Sequence, residues 1–202
     1  MKREIRPHFL KRVFRNWVLW HIPRTGGTNW ARTAERAFSP AARGGFPEIH
    51  TSPSTMAVEA RPEHRYVTII RDPLARAVSC AAYGMGYTIQ KNGPLPRDRF
   101  IEWVFDDLTF EKFWVGRPQA EFLRPVLDQI EFVARTDTLQ ADFERWFRQE
   151  FPNLPVYGLG FTNASLREET SHYYEDPLVE ARVREIYADD FRLWREGLEV
   201  LR

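Results

Sequence analysis

A short apolar run that ends in a glycine-rich turn constrains the fold of this chain most strongly. The run Trp17 to Ile22 is apolar apart from one histidine, and the turn Pro23 to Thr28 (PRTGGT) separates it from a helix-compatible segment, Asn29 to Phe38. A β-type run, a glycine turn and a helix start bring backbone N–H groups and the positive end of a helix dipole together. The sequence therefore predicts that a phosphate-bearing ligand binds at this turn.

The residue types in the turn suit an anion. Gly26 and Gly27 allow positive φ and close approach of the backbone to a ligand. Thr25 and Thr28 offer hydroxyl donors, and Arg24 carries a permanent positive charge. The nucleotide triphosphatase pattern G-x-x-x-x-G-K-[ST] places its cation after the second glycine, whereas here the cation precedes both glycines. The chain does not match that pattern, and an ordinary tight turn remains an alternative.

A second strand ends in a similar way. The run Arg65 to Arg71 (RYVTIIR) is dense in β-branched residues and predicts a central strand of a parallel sheet. Pro73 suits the start of a helix, and Asp72 suits its N-terminal cap. Arg71 then lies at the carboxyl end of the strand, where ligands bind in open α/β sheets, and we expect it to converge with Ser79 on one anion.

Both stretches resemble motifs of one enzyme family. The string HIPRTGGT, residues 21–28, resembles the 5′-phosphosulfate loop of sulfotransferases that use 3′-phosphoadenosine 5′-phosphosulfate (PAPS), and most closely the carbohydrate branch, whose loop usually reads H-[IV]-P-K-[TA]-[GA]-[GS]-T. The later pattern R-D-P-x-x-R-x-x-S resembles the family's 3′-phosphate motif. The resemblance extends from about residue 16 to about residue 195 and implies the following nucleotide-binding residues: Pro23, Arg24, Thr25, Gly26, Gly27, Thr28, Asn29, Arg71, Arg76, Ser79 and Arg167.

The resemblance also implies a mechanism. Arg24 stands where the family usually has lysine, and it can donate to the bridging oxygen and the sulfonate, although its high pKa prevents it from acting as a general acid. The acceptor hydroxyl must lose a proton, and His50 is the predicted base, with Glu48 as its substitute. A catalytic histidine occupies a comparable place in the carbohydrate branch. The alternative, that His50 is a surface or capping residue, stays open. No metal is expected, because the sequence shows no ligand spacing typical of one.

The remaining elements fit an α/β fold. Ile130 to Ala134 predicts another buried strand, and Thr136 to Phe151 predicts the helix after it. Aromatic residues recur at helical spacing in Arg99 to Val115, and one long helix is predicted over about Pro177 to Leu201. We therefore expect a single sulfotransferase-like domain over residues 1–202: a three-layer sandwich with a central, mostly parallel sheet of the P-loop-like type.

Composition limits the possible partners. The 29 basic and 28 acidic side chains give a formal charge of +1, so general attraction to nucleic acid or to an anionic membrane is not indicated. The only cysteine, Cys80, cannot form an internal disulfide. No apolar run approaches the roughly 20 residues of a membrane span, and the basic N-terminus is unlike a signal peptide, so a cytoplasmic protein is expected.

The predicted activity is transfer of the sulfuryl group from PAPS to a hydroxyl of a carbohydrate or small-molecule acceptor, with 3′,5′-bisphosphoadenosine (PAP) as the other product. The oligomeric state and the identity of the acceptor are not readable from the sequence. Two alternatives stay open. One is a phosphotransferase related to P-loop nucleotide kinases, and the other is a catalytically inactive protein that binds PAPS or PAP.

Overall fold

The computed structural model forms two compact units, and each unit combines two separate stretches of the chain. The first unit takes its described residues from 1–70 and 128–162, and the second takes them from 71–127 and 163–202. Each unit is described below by itself. The structure describes residues 15–38, 48–49, 60–87, 92–106, 114–160 and 169–202, with the backbone alone at 48–49.

The first unit is built on a parallel β-sheet. Its described strands are β1 (Trp17–Trp20), β2 (Glu48–Ile49), β3 (Arg65–Ile70) and β4 (Ile130–Arg135), in the spatial order β2-β1-β3-β4. Every pairing between neighbours is parallel. All four residues of β1 and the last five of β3 are buried, as the continuous apolar runs predicted for central strands. The α/β class with a parallel sheet is thus confirmed.

Two helices pack on one face of this sheet. They are α1 (Gly27–Phe38) and α5 (Leu139–Glu150), and they share a buried cluster with Trp17 and Leu19 of β1. Trp30 lies at the centre of the cluster, with its ring centroid 4.9 Å from that of Phe143 and 5.1 Å from that of Trp146. Each fully buried aromatic side chain of this size stabilises the fold by about 1.5 to 3 kcal/mol, so this aromatic layer holds α1 firmly on the sheet.

A network of charged side chains lies at the amino-terminal end of the sheet, where β1, β3 and β4 begin. The Trp17 indole donates to Glu150 Oε2 at 2.9 Å, and Arg65 donates to the same oxygen at 2.8 Å. Arg65 also donates to Glu131 at 2.8 Å, and its guanidinium carbon lies 4.2 Å from the centroid of the Trp17 ring. The network joins β1, β3, β4 and α5, and it leaves the carboxyl ends of the strands for other contacts.

The second unit is helical in its described residues. Its helices are α2 (Pro73–Gly84), α3 (Arg97–Phe105), α4 (Gln119–Leu123), α6 (Pro177–Ile186) and α7 (Ala188–Glu196). The described residues also form 3₁₀ segments at Trp114–Gly116, Arg124–Gln129, Thr136–Thr138, Thr170–Tyr174 and Leu198–Leu201. Ala77, Ala81 and Phe100 belong to one buried cluster, which brings together α2, α3 and α6.

The predicted start of α2 is confirmed. Asp72 is its N-cap, and its carboxylate Oδ1 accepts a hydrogen bond from the Ala75 N–H at 2.8 Å. Pro73 occupies the first helical position, where the missing N–H has no helical partner to lose.

The single helix predicted over Pro177 to Leu201 is wrong. α6 ends at Ile186, and Tyr187 breaks the helix with φ −105° and ψ 29°. Tyr187 is buried, and its hydroxyl donates to the Gly116 carbonyl, so a tertiary contact overrides the apolar period at this point. α7 then ends before Gly197, whose φ of 87° lies in the left-handed region that favours glycine. The predicted aromatic helix is shorter as well: α3 ends at Phe105, and residues 107–113 lie outside the described part.

None of the helices in the described ranges has both the length and the apolar character that crossing a membrane requires.

Candidate functional site

The glycine-rich turn connects the carboxyl end of β1 to the start of α1. Two of its residues have left-handed backbones, Arg24 with φ 67° and Gly26 with φ 94°. Glycine adopts this conformation freely, whereas for arginine it costs about 1 kcal/mol or more, a strain that concentrates at ligand sites. The Gly26 carbonyl accepts from the N–H groups of Asn29 at 3.0 Å and of Trp30 at 3.3 Å, which starts the helix directly after the turn.

The start of α1 has the electrostatics of an anion site. The first N–H groups of a helix have no partner within the helix, and the helix dipole places a partial positive charge there. The first turn of α1 contains no acidic side chain that would neutralise this charge. Thr28 and Asn29 in this turn are partly exposed, as is Arg24 ahead of it. A phosphate or sulfate group is the kind of ligand that this arrangement can bind.

Gly27 is required by a close contact, whereas Gly26 is required by its backbone, whose φ of 94° lies in the left-handed region. A Cβ atom added to Gly27 would lie 2.3 Å from Cδ2 of His21, and one added to Gly26 would lie 2.9 Å from Cδ2 of Leu139. His21 is only 4% exposed, so its ring cannot easily move away. His21 therefore supports the turn by packing against Gly27.

The hydroxyl of Thr25 lies inside the turn. Thr25 is fully buried, and its Oγ1 donates to the Ile22 carbonyl at 2.8 Å. Its backbone carbonyl is in turn 3.0 Å from the hydroxyl of Thr136, which also lies 3.0 Å from the Ile70 carbonyl. Thr136 follows the end of β4, so it joins the glycine turn to the ends of β3 and β4. The sequence predicts Thr136 only as the first residue of the helix after a strand, and it gives this residue no role at the glycine turn.

The second predicted anion site lies in the second unit, at the start of α2. Arg71 follows directly after β3, and its side chain is partly exposed. Ser79 lies on α2 and is only 2% exposed. The roles of both residues on a 3′-phosphate stay predictions.

The structure gives Arg76 a different environment from the one expected of a phosphate ligand. Arg76 is 1% exposed, and its Nη1 and Nη2 atoms both donate at 2.9 Å, to the carbonyls of Arg117 and Val115. Burial raises the pKa of Asp190 above its ordinary value, whereas the charge of Arg76 acts to lower that pKa. These contacts favour a structural role for Arg76 in holding the segment before α4.

A pair of buried residues that the sequence reasoning missed holds the backbone of Arg71. The Arg71 N–H donates to Oε1 of Gln119 at 2.8 Å, and Nε2 of Gln119 donates to the Arg71 carbonyl at 2.9 Å. The carboxylate of Asp190 accepts from the N–H groups of Gln119 at 2.7 Å and of Ala120 at 2.9 Å. No sequence pattern could have found these contacts, because they join residues 48 and 71 positions apart.

The structure does not describe the side chains of three predicted site residues. His50 and Arg167 lie outside the described residues. Glu48 is described by its backbone alone, which pairs with Leu19 in the parallel ladder between β1 and β2. Within the described ranges, no group of three or more His, Cys, Asp or Glu side chains is arranged to hold a metal ion.

Comparison with known proteins adds no family assignment. No protein-family model matches the chain, and no curated protein matches it. The sulfotransferase resemblance therefore depends on the two motifs and on the local structure that they form.

Proposed function

We propose that this chain is a PAPS-dependent sulfotransferase of P-loop-like, three-layer architecture that acts on a hydroxyl of a glycan or small molecule. The single observation that carries the proposal is the geometry of the glycine turn. A parallel strand leads through two left-handed residues, Arg24 and Gly26, into a helix whose first turn lacks acidic side chains. This geometry supports binding of the 5′-phosphosulfate group at residues 23–29.

In the proposed reaction the protein positions the two substrates and neutralises developing charge, and it forms no covalent bond of its own. A bond forms between the acceptor oxygen and sulfur while the bond between sulfur and the bridging oxygen breaks, and PAP leaves as a stable anion. Arg24 neutralises the charge that develops on the bridging oxygen, as cationic side chains do in phosphoryl transfer. The acceptor proton passes to His50, or to Glu48 in its place.

The 3′-phosphate is assigned to Arg71 and Ser79, with Arg167 as a further candidate. Recognition of this group would distinguish PAPS from nucleotides that lack a 3′-phosphate. The same proposal includes catalysis without a metal and a cytoplasmic location, both of which rest on the sequence.

Calorimetry in the absence of magnesium tests the proposal. We expect PAP to bind more tightly than adenosine 5′-phosphate, and labelled sulfate to pass from PAPS to an acceptor in a screen of glycans and small alcohols. Replacing Arg24 by alanine should slow the transfer by about 100-fold or more, the scale of a lost group that stabilises transition-state charge, and lysine should restore part of the rate. Arg32→Ala, at an exposed arginine on α1, is the matched control and should leave the rate unchanged.

Other outcomes would identify the alternatives. A requirement for ATP with magnesium would replace the proposal by a nucleotide kinase. Tight PAP binding without transfer to any acceptor would indicate a binding protein. If PAP does not bind, the assignment of the glycine turn is wrong.

A further inference from the structure

The side chain of Gln119 forms an unusual contact with a backbone. Its carboxamide accepts from the N–H of Arg71 at 2.8 Å and donates to the carbonyl of the same residue at 2.9 Å. These two hydrogen bonds reproduce the pairing that a neighbouring β-strand would provide. They fall on the single residue between the end of β3 at Ile70 and the N-cap of α2 at Asp72.

Gln119 is itself held rigidly. It is fully buried, and its own N–H donates to Oδ2 of Asp190 at 2.7 Å. The other carboxylate oxygen of Asp190 accepts from Ala120 at 2.9 Å, and Asp190 is also fully buried. The two carboxylate oxygens of Asp190 therefore hold the backbone at the start of α4 in place. This in turn positions the Gln119 carboxamide that bonds to the backbone of Arg71.

Fixing the backbone of an arginine fixes where its long side chain begins. The guanidinium lies several bonds from Cα, so a small rotation of the backbone at Arg71 displaces it by a large distance. Misplacing a binding group by about 1 Å weakens its interaction strongly. A carboxamide suits this task because it offers a donor and an acceptor side by side, which neither a carboxylate nor an apolar side chain does.

We propose that Gln119, held by Asp190, is a positioning residue that sets the direction of the Arg71 side chain for binding a 3′-phosphate. The inference rests on the proposed function, because it needs Arg71 to bind that phosphate. It adds two residues to the recognition of the nucleotide, neither of which touches the ligand.

The test compares two ligands by calorimetry. PAP carries the 3′-phosphate, and adenosine 5′-phosphate does not. In Gln119→Met, which keeps the length of the side chain, we expect the affinity for PAP to fall about tenfold, the effect of weakening one charged hydrogen bond. The affinity for adenosine 5′-phosphate should change by less than about twofold, because its binding does not use Arg71. Gln149→Met, at an exposed glutamine on α5, is the matched control and should leave both affinities unchanged.

Two further variants keep the test decisive. Gln119→Glu has nearly the same shape and keeps an acceptor for the Arg71 N–H, but it puts an acceptor oxygen against the Arg71 carbonyl where the donor was, so the ratio of the two affinities should fall. It replaces Gln119→Met if thermal unfolding shows that the latter does not fold. Asp190→Asn should reduce the ratio, whereas Asp189→Asn, at the partly exposed neighbour that pairs with Arg124, should not.

The outcomes separate this inference from the proposed function. If the wild-type protein binds PAP no better than adenosine 5′-phosphate, the 3′-phosphate assignment fails and the inference fails with it. Suppose that the wild type binds PAP more tightly than adenosine 5′-phosphate. If the folded Gln119 variants keep the same ratio of the two affinities, or lose both affinities in parallel, only the positioning role of Gln119 is wrong.

Discussion

Thr136 shows how one hydroxyl can hold the glycine turn from a distant part of the chain. Its oxygen lies 3.0 Å from the carbonyl oxygens of both Thr25 and Ile70, and one of these belongs to the turn and the other to the end of β3. Both carbonyls would lose a protein donor if the hydroxyl were removed. Thr25 is fully buried, so water cannot easily replace that donor.

We expect Thr136→Val to reduce the free energy of unfolding by about 1 to 2 kcal/mol, because the shape is kept while a shared hydrogen bond is lost. The affinity for PAP should fall with it, because the turn is less well held. Thr136→Ser retains the hydroxyl and should behave like the wild type. Thr138→Val, in the same 3₁₀ segment, removes a bond to Asp142 at 2.8 Å and should not affect PAP binding. Urea unfolding and calorimetry measure both quantities, and unchanged values in Thr136→Val would contradict the role.

The sequence alone predicts the residues whose roles depend on near neighbours in the chain. Gly27, Arg24 and the cap at Asp72 depend on neighbours within a few positions, and the structure puts a tight turn and a capped helix where the sequence predicted them. Thr136 and Gln119 act on residues distant in the chain, so no periodicity or spacing could reveal them. The fold class was predictable because β1 and β3 are continuous apolar runs. The break in the last helix was not, because it depends on a single contact of Tyr187.

At the scale of elements, the turn and α1 are held together by a close approach of His21 to Gly27. The space for a methyl group at residue 27 is already filled, because the added atom would lie 2.3 Å from the His21 ring. Gly27 is therefore needed for packing, whereas Gly26 is needed for its backbone conformation.

Gly27→Ala should lower the free energy of unfolding by about 1 to 3 kcal/mol, the usual cost of overpacking. The cost should be smaller in a His21→Ala background, since that variant vacates the space, and a double-mutant cycle measures the difference. Gly158→Ala is the control, because nothing lies within 4 Å of its added Cβ. If Gly27→Ala costs the same with and without His21, the two residues do not compete for space.

At the scale of the whole molecule, the network at the amino-terminal end of the sheet links stability to pH. Burial alone would raise the pKa of Glu150, but hydrogen bonds from Trp17 and Arg65 and the charges of Arg65 and Arg15 lower it below its ordinary value. A carboxyl group with a lowered pKa contributes stability above the unfolded value of 4.5 and loses that contribution as the pH falls through the folded value.

We expect Glu150→Gln to be less stable than the wild type by about 1 to 2 kcal/mol at neutral pH, because the bonds from Trp17 and Arg65 lose their charged acceptor. The difference should shrink as the pH falls below 4.5, because the unfolded wild-type chain then takes up a proton at Glu150, and it should vanish once the pH falls below the lowered pKa of Glu150 in the folded protein. Glu144→Gln, on the same helix, should differ little from the wild type at any pH, because its ion pair with Arg148 is exposed. Urea unfolding between pH 3 and 7 provides the comparison, and a gap independent of pH would show that Glu150 does not carry the effect.

The division of each unit between two stretches of the chain has a consequence for biosynthesis. β1, the glycine turn and α1 leave the ribosome before the strand and helix that complete their unit, which come from residues 128–162. Until residue 136 has emerged, the Thr25 carbonyl lacks the hydroxyl that holds it, and Trp30 lacks the aromatic rings of α5. The turn of the nascent chain therefore lacks these contacts until roughly a hundred further residues have been synthesised. A truncated product that ends before them would expose its aromatic side chains to chaperones or to aggregation.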